Sequence, residues 1–189
     1  MRGGEMAVAL NGNALTTVAK VKYLWGRKQA DESHDDRIGT LINFLSGRIS
    51  DWCGRTFEST LYTDQLYDGH TLTELFLKNY PIIAVPAPVI KIDDVTVTTT
   101  LYKVYYQEGF VYYSHGWDQG HQNIKVTYQA GYATIPEGLG MACAEWAVLL
   151  LEQVYKDAKL TFTQINAEAK LVPDQIAGAI IPYKRMDLP

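Results

Sequence analysis

Two short stretches gather side chains that could do chemistry. "HGWDQGH" (115–121) sets His115 and His121 on either side of Asp118, and "DGHTLTE" (68–74) brings Asp68, His70 and Glu74 close together. Imidazoles and carboxylates at such spacing are the raw material of a metal site or a hydrolytic base. A metal, however, needs three or four ligands converging on one point. The first stretch is rich in glycine and is flanked by neither Cys nor Glu, so it reads as a solvated hairpin loop. The second falls on an Asp-Gly hairpin turn, which accounts for Asp68 and Gly69 without catalysis. Asp93 and Asp94 are adjacent on a strand and point to opposite faces, which makes them a poor acid–base pair and a good turn.

Other chemistries lack their signatures. There is no Gly-x-Ser-x-Gly elbow and no Gly-Lys-Ser/Thr phosphate loop, and the glycines of "AGYATIPEGLG" are not spaced as in a dinucleotide fingerprint. Cys53 and Cys143 are far apart and form no Cys-x-x-Cys pair, so both are expected to be free core thiols of a reducing compartment. Thirteen tyrosines could stack bases on a sheet. A stacking sheet should also carry Lys or Arg, and this one carries few, so cross-strand aromatic packing is the better account. The expectation is therefore a protein with no catalytic residue, no cofactor and no metal ligand set.

Composition agrees. The 189 residues carry a net charge of −4, with 20% charged and 47% hydrophobic side chains. That is enough chain to bury a core without disulfides, and a balance that does not suit gripping nucleic acid. The apolar run near the N-terminus is too short for a signal peptide, and no run approaches a membrane span. A soluble, intracellular protein is expected.

The elements follow from periodicity. "LTTVAKVKYLWG" (15–26) reads as a short helix capped by Thr16 or Thr17. After a charged linker, Ile38, Leu41, Ile42, Leu45, Ile49 and Trp52 recur on one stripe, predicting a helix from about Asp36 to Cys53, capped by Asp35 or Asp36 and ended by Gly54. From Phe57 to Ala130 the pattern turns to short alternating strands, with turns at Asp68-Gly69, "IDD" and Glu108-Gly109, predicting an antiparallel sheet. A helix over about 136–155 then has almost no polar face, being interrupted only by Glu137 and Glu145 before Glu152. Residues 156–171 show weak periodicity, as a partner-dependent segment would. Residues 173–181 form a short helix stopped by Pro182, leaving Tyr183, Lys184 and Arg185 extended.

The order of these pieces resembles a known family. A strand followed by "AGYATIPEGLGMACAEWAVLLLE" is similar to the strand–Gly-Tyr–Pro–helix signature of phage head–tail connector proteins, the adaptor or head-completion proteins of long-tailed phages and gene-transfer particles. Lys22 and Leu24 match the family's opening helix, and Cys53, Gly54 and Arg55 match the end of its second helix. Leu75, Leu77 and Pro81 match the strand before its hairpin. Ile180, Ile181, Pro182, Tyr183, Lys184 and Arg185 match its closing "LL-x-PYR" element.

The resemblance implies an α+β fold, in which two main helices pack with an inserted antiparallel β-region and a C-terminal arm. Residues 15–158 would be the connector domain and 159–189 a partner-contacting arm; residues 1–14, rich in Gly and Asn, are expected to be a flexible arm, and this arm and the long segment 156–171 depart from the family's pattern. It implies a structural virion protein that forms a ring, twelve-fold in the particle, under the portal protein. Such a ring would extend the DNA channel to the next neck or tail-completion (stopper) protein, with DNA passing through without specific binding and no membrane involved. Ile176, Ile180, Ile181, Tyr183, Lys184 and Arg185 are the expected partner-facing residues, and a neighbouring subunit or the portal is expected to cover what remains of the apolar helix, the alternative being that it is the central core helix of a monomer. Three other readings stand beside it: another neck or tail-completion protein, a module whose tyrosine-rich sheet holds a small ligand or single-stranded nucleic acid, and a hydrolase built on the 115–121 loop.

Overall fold

The longest amphipathic stripe of the sequence nucleates the helical part. Ile38, Leu41, Ile42, Leu45 and Ile49 lie on one face of α2 (Asp35–Cys53), each no more than 1% exposed. Burying side chains of this size contributes roughly 1.5–3 kcal/mol apiece. Asp35 and Asp36 stand in the first turn, where the helix dipole favours negative charge. The helix starts one residue earlier than its pattern suggested: His34, not an aspartate, precedes it, and the Asp36 carboxylate accepts the Val8 backbone N–H at 2.9 Å instead. Gly54 closes the helix with φ 67°, a left-handed conformation that favours glycine.

A computed structural model describes residues 8–156 and 171–185 of the chain. The described chain divides into two compact units, Met1–Phe57 with Ile135–Pro189, which is helical, and Glu58–Thr134, which holds the strands. The architecture is α+β.

In the helical unit, α1 (Val18–Leu24) is capped by Thr17, whose Oγ1 accepts the Lys20 N–H. Lys22 is only 3% exposed, and its ammonium reaches Asp35 Oδ1 at 2.5 Å and donates to the Gln29 carbonyl at 3.1 Å. One buried cation thus ties α1, the following loop and the start of α2 together. Between Val8 and Leu15 the chain runs along α2: Asn43 accepts the Asn11 N–H and donates to the Ala9 carbonyl, and Ser46 Oγ accepts the Leu15 N–H.

Helix α3 (Glu137–Lys156) answers the question its sequence poses. Leu139, Ala142, Cys143, Ala144, Trp146, Ala147 and Leu151 are each at most 2% exposed and take up more than half of the helix circumference, while Gly138, Glu145 and Glu152 are exposed on the remaining face. Helices α1 and α2 and the C-terminal α4 (Asp174–Ile180) all pack on it. Most of the apolar circumference for which a neighbouring subunit could be the cover is buried by helices of the same chain, and Met141, Val148 and Leu149 are left half-buried. The sequence pattern could not tell these apart, because it says that a face must be covered and not by what. Burial pushes the thiols of Cys53 and Cys143 up to about 11 and about 12, and both are free.

The β unit holds two antiparallel sheets around one core. The first is ordered β1 (Thr60–Gly69), β7 (Gly120–Ala130), β3 (Val89–Ile92) and β4 (Val95–Thr96). The second is ordered β2 (Glu74–Phe76), β6 (Phe110–Tyr113) and β5 (Tyr102–Tyr105). Ile90, Ile124, Val126 and Tyr128 from the first sheet and Leu75 and Val111 from the second share a single buried cluster. Two of the expected turns form: Asp93 and Asp94 take φ 47° and 65° between β3 and β4, and Gly109 ends the link between β5 and β6.

The Asp68-Gly69 hairpin does not form. β1 pairs with β7, not with β2, and Gly69 lies opposite Gly120. Long-range pairing overrides the local turn signal. After β7, Gly131 turns the chain at φ 116°, where a Cβ would stand 2.3 Å from the Glu58 carbonyl oxygen. This is the physical reason for glycine in the "AGY" signature.

Candidate interaction surface

Both stretches that could have done chemistry make structural contacts. Asp68 Oδ1 accepts the Gln122 N–H at 2.6 Å and pairs with His121 Nδ1 at 2.8 Å on the surface. His115 lies beside Ser114, with Nδ1 and Oγ 3.3 Å apart. The loop between them is not simply solvated as expected: Trp117 is 1% exposed, and its Nε1 donates to the Thr73 carbonyl at 3.1 Å. The indole anchors the loop to the β core and leaves the imidazoles outside. Among the described residues no group of three or more His, Cys, Asp or Glu side chains is placed to hold a metal ion.

The tyrosines are used in packing and in one buried polar network. The Tyr67 and Tyr128 hydroxyls lie 2.9 Å apart, and both donate to Gln65 Oε1. They accept the Lys78 and Asn79 backbone N–H groups. Burial raises both phenols above their ordinary range, so they remain protonated donors. The Tyr62 ring stacks on that of Tyr128 at 5.3 Å. Sequence reasoning anticipated the packing but missed the network, because Gln65 carries no mark that sets it apart from a surface glutamine.

The C-terminal segment is built onto the helical unit. Ile176 is 1% exposed and Ile180 0%, so these two expected partner-facing residues lie inside the unit. The reason is the spacing: i and i+4 on α4 share the face that packs on α3. Ile181 points outward, 60% exposed. Pro182 does not stop the chain short, because Ile181–Tyr183 continue as a 3₁₀ turn. Tyr183 is therefore not extended, and its ring meets Phe57 edge-on at 6.3 Å. Lys184 is extended and exposed, with Nζ 4.9 Å from the centre of the Trp52 ring. The Arg185 N–H donates to the Cys53 carbonyl at 2.8 Å, and the Arg55 guanidinium lies 5.2 Å from the Phe57 ring. The outcome is a basic-aromatic corner, with Ile181 and Lys184 outermost, tied to the end of α2 by the Arg185 N–H and carried by the two isoleucines buried against α3. The expected segment at 156–171 falls almost wholly on residues outside those described.

The comparisons with known proteins bear on this arrangement as a whole. No curated protein matches the chain. Three structures are similar along nearly its full length. One is of the virion of a native gene transfer agent particle, with 14% identity, a TM-score of 0.56 and coverage of 96% of this chain and 95% of that one. Another is of the neck of an empty particle computed with C6 symmetry, with 13% identity, a TM-score of 0.53 and the same coverage. A third is of the neck of a native particle computed with C12 symmetry, with 11% identity, a TM-score of 0.50 and coverage of 96% and 94%. At these identities the likeness establishes the fold. The family model described as head completion protein matches residues 14–186. The chain therefore belongs to the head completion protein family, and it is a structural head–tail connector protein.

Proposed function

We propose that the chain forms a ring in the virion neck, docked beneath the portal protein, and that the ring extends the DNA channel toward a neck or tail-completion (stopper) protein. The observation that carries this reading is the family match over residues 14–186. It is supported by the likeness to neck structures computed with C6 and C12 symmetry, which fits a twelve-fold ring in the particle. The chain catalyses nothing in this role. It works by shape: rings stack, and DNA slides through without being held, as a net charge of −4 suits.

In this reading the C-terminal corner makes the portal contact. Ile181, Tyr183, Lys184 and Arg185 are of the apolar, aromatic and basic types that anchor interfaces, and Ile176 and Ile180 hold them in place from below. The test is co-sedimentation of the purified chain with portal-bearing, DNA-filled heads. The wild-type chain should pellet with the heads and restore their ability to accept tails. A chain carrying Ile181→Asp and Lys184→Glu should stay folded but remain in the supernatant. Equal binding of this variant would remove the corner from the contact, and failure of the wild-type chain to bind would overturn the function.

A further inference from the structure

Exposed large apolar side chains are unevenly distributed. Among the described residues, ten of fourteen lie in the β unit. Five of them, Leu61, Leu66, Val89, Phe76 and Tyr112, form two separate patches on the outward sides of the two sheets, because the inner faces of both sheets point into the one shared core.

On the three-stranded sheet the outward row is Phe76–Phe110–Tyr105, register partners across β2, β6 and β5. Phe76 is 47% exposed, and beside it Tyr112 is 36% exposed. The next row, Glu74–Tyr112–Lys103, sets a carboxylate at one end and an ammonium at the other. On the four-stranded sheet the outward side carries Leu61, Leu66 and Val89, which are 56%, 38% and 41% exposed. They surround the ion pairs Lys91–Asp64 and Lys125–Asp94.

We propose that these two faces are the self-contact of the ring, the aromatic face of one copy seated on the Leu61–Leu66–Val89 face of the next. The inference rests on the ring reading above. A closed ring is made by a heterologous contact, which requires two different, mutually complementary surfaces on each subunit. Two separate apolar patches on one unit meet that requirement, whereas an isologous dimer needs only one.

Charge agrees. The aromatic face carries one cation and one anion, and the other face two of each, so Glu74 and Lys103 can oppose Lys and Asp side chains of a neighbour. A nucleic acid would want a positive excess, which neither face has. Ring geometry points the same way. Tyr105 and Phe110 lie 4.3 Å apart and 12° from parallel, so each spends one ring face on the other, and Lys103 Nζ lies 4.9 Å from the centre of the Tyr105 ring. Base-stacking platforms present ring faces.

The test uses the full chain alone, at concentrations up to the millimolar range. Phe76→Glu with Tyr112→Glu spoils one face, and Leu61→Glu with Val89→Glu spoils the other. All four positions are exposed, so both variants should keep the parent's circular dichroism and melting temperature. The wild-type chain should sediment as rings. Each variant should stay monomeric, its association weakened roughly 100-fold, because a carboxylate is buried without a partner. An equimolar mixture should form 1:1 dimers and nothing larger, since one intact pair of faces remains. Rings from either variant, or a mixture that stays monomeric, would overturn the proposal. So would a wild-type chain that never self-associates, while the neck reading, tested on heads, would still stand. Binding of a single-stranded oligonucleotide that is abolished by the aromatic-face variant, with association unchanged, would reassign that face to a ligand.

Discussion

Replacing Ile180 by Ala separates the two roles that the C-terminal segment combines. The side chain is 0% exposed on the face of α4 that packs on α3. The substitution removes three carbons at about 0.8 kcal/mol each and leaves a cavity, for a total of about 3 kcal/mol. For a chain of this length each kcal/mol moves the melting temperature by roughly 2–4 °C, so the midpoint should fall by roughly 6–12 °C. Ile181→Ala, one residue on and 60% exposed, should shift it by less than about 2 °C. Scanning calorimetry of the two variants beside the parent reads both numbers. Deleting residues 173–189 should be worse than Ile180→Ala, since it strips a whole helix from α3. A parent-like melt for Ile180→Ala would refute the placement of α4 in the core, and with it the idea that a buried pair positions an exposed corner.

Other predictions follow from single contacts. Lys22→Met should cost about 2–3 kcal/mol, because it leaves Asp35 and the Gln29 carbonyl without their ammonium, and Asp35, 23% exposed, recovers only part through water; chemical denaturation should show the double variant with Asp35→Leu regaining some of the loss. Gly131→Ala should cost about 2–3 kcal/mol, since φ 116° and a 2.3 Å approach to the Glu58 oxygen both forbid a Cβ; a neutral result in urea titration would contradict the turn geometry. The Cys53 and Cys143 thiols, raised to about 11 and about 12 by burial, keep protons that unfolded thiols release above about pH 8.5. Their contribution to stability is therefore full below about pH 8.5 and lost as pH rises toward the folded values, and melting temperatures from pH 8 to 10.5 should fall less in the Cys143→Ala variant, relative to its own value at pH 8. A disulfide reagent should react with either thiol only after denaturant is added.

How legible this molecule is in its sequence depends on whether a contact is local. The stripe of α2, the Thr17 cap, the Gly54 stop, the Asp93-Asp94 turn and the tip at Gly109 all rest on neighbours in the chain, and all form as their patterns predict. The pairing of β1 with β7 joins residues as far apart as Thr60 and Ala130, and no local signal encodes it, so the Asp68-Gly69 pattern predicts a hairpin that does not form. The apolar circumference of α3 demanded cover, but the period of a helix cannot say whether that cover is α1, α2 and α4 of the same chain or another copy. The same ambiguity applied to Ile176 and Ile180, whose apolar character suits a core as well as an interface. The burial of Trp117 is not legible because its loop is polar on both sides, and the β core and the Thr73 carbonyl that hold the indole lie outside that loop.

Whether this chain is a ring-forming connector of the neck can be seen by cryo-electron microscopy of purified portal mixed with the chain. A second tier of density should appear beneath each portal, resolved as twelve copies around a continuous channel, with the Ile181–Lys184 corner against the portal. Portal particles that show no added tier at saturating concentrations of the chain, or one attached away from the channel axis, would contradict it.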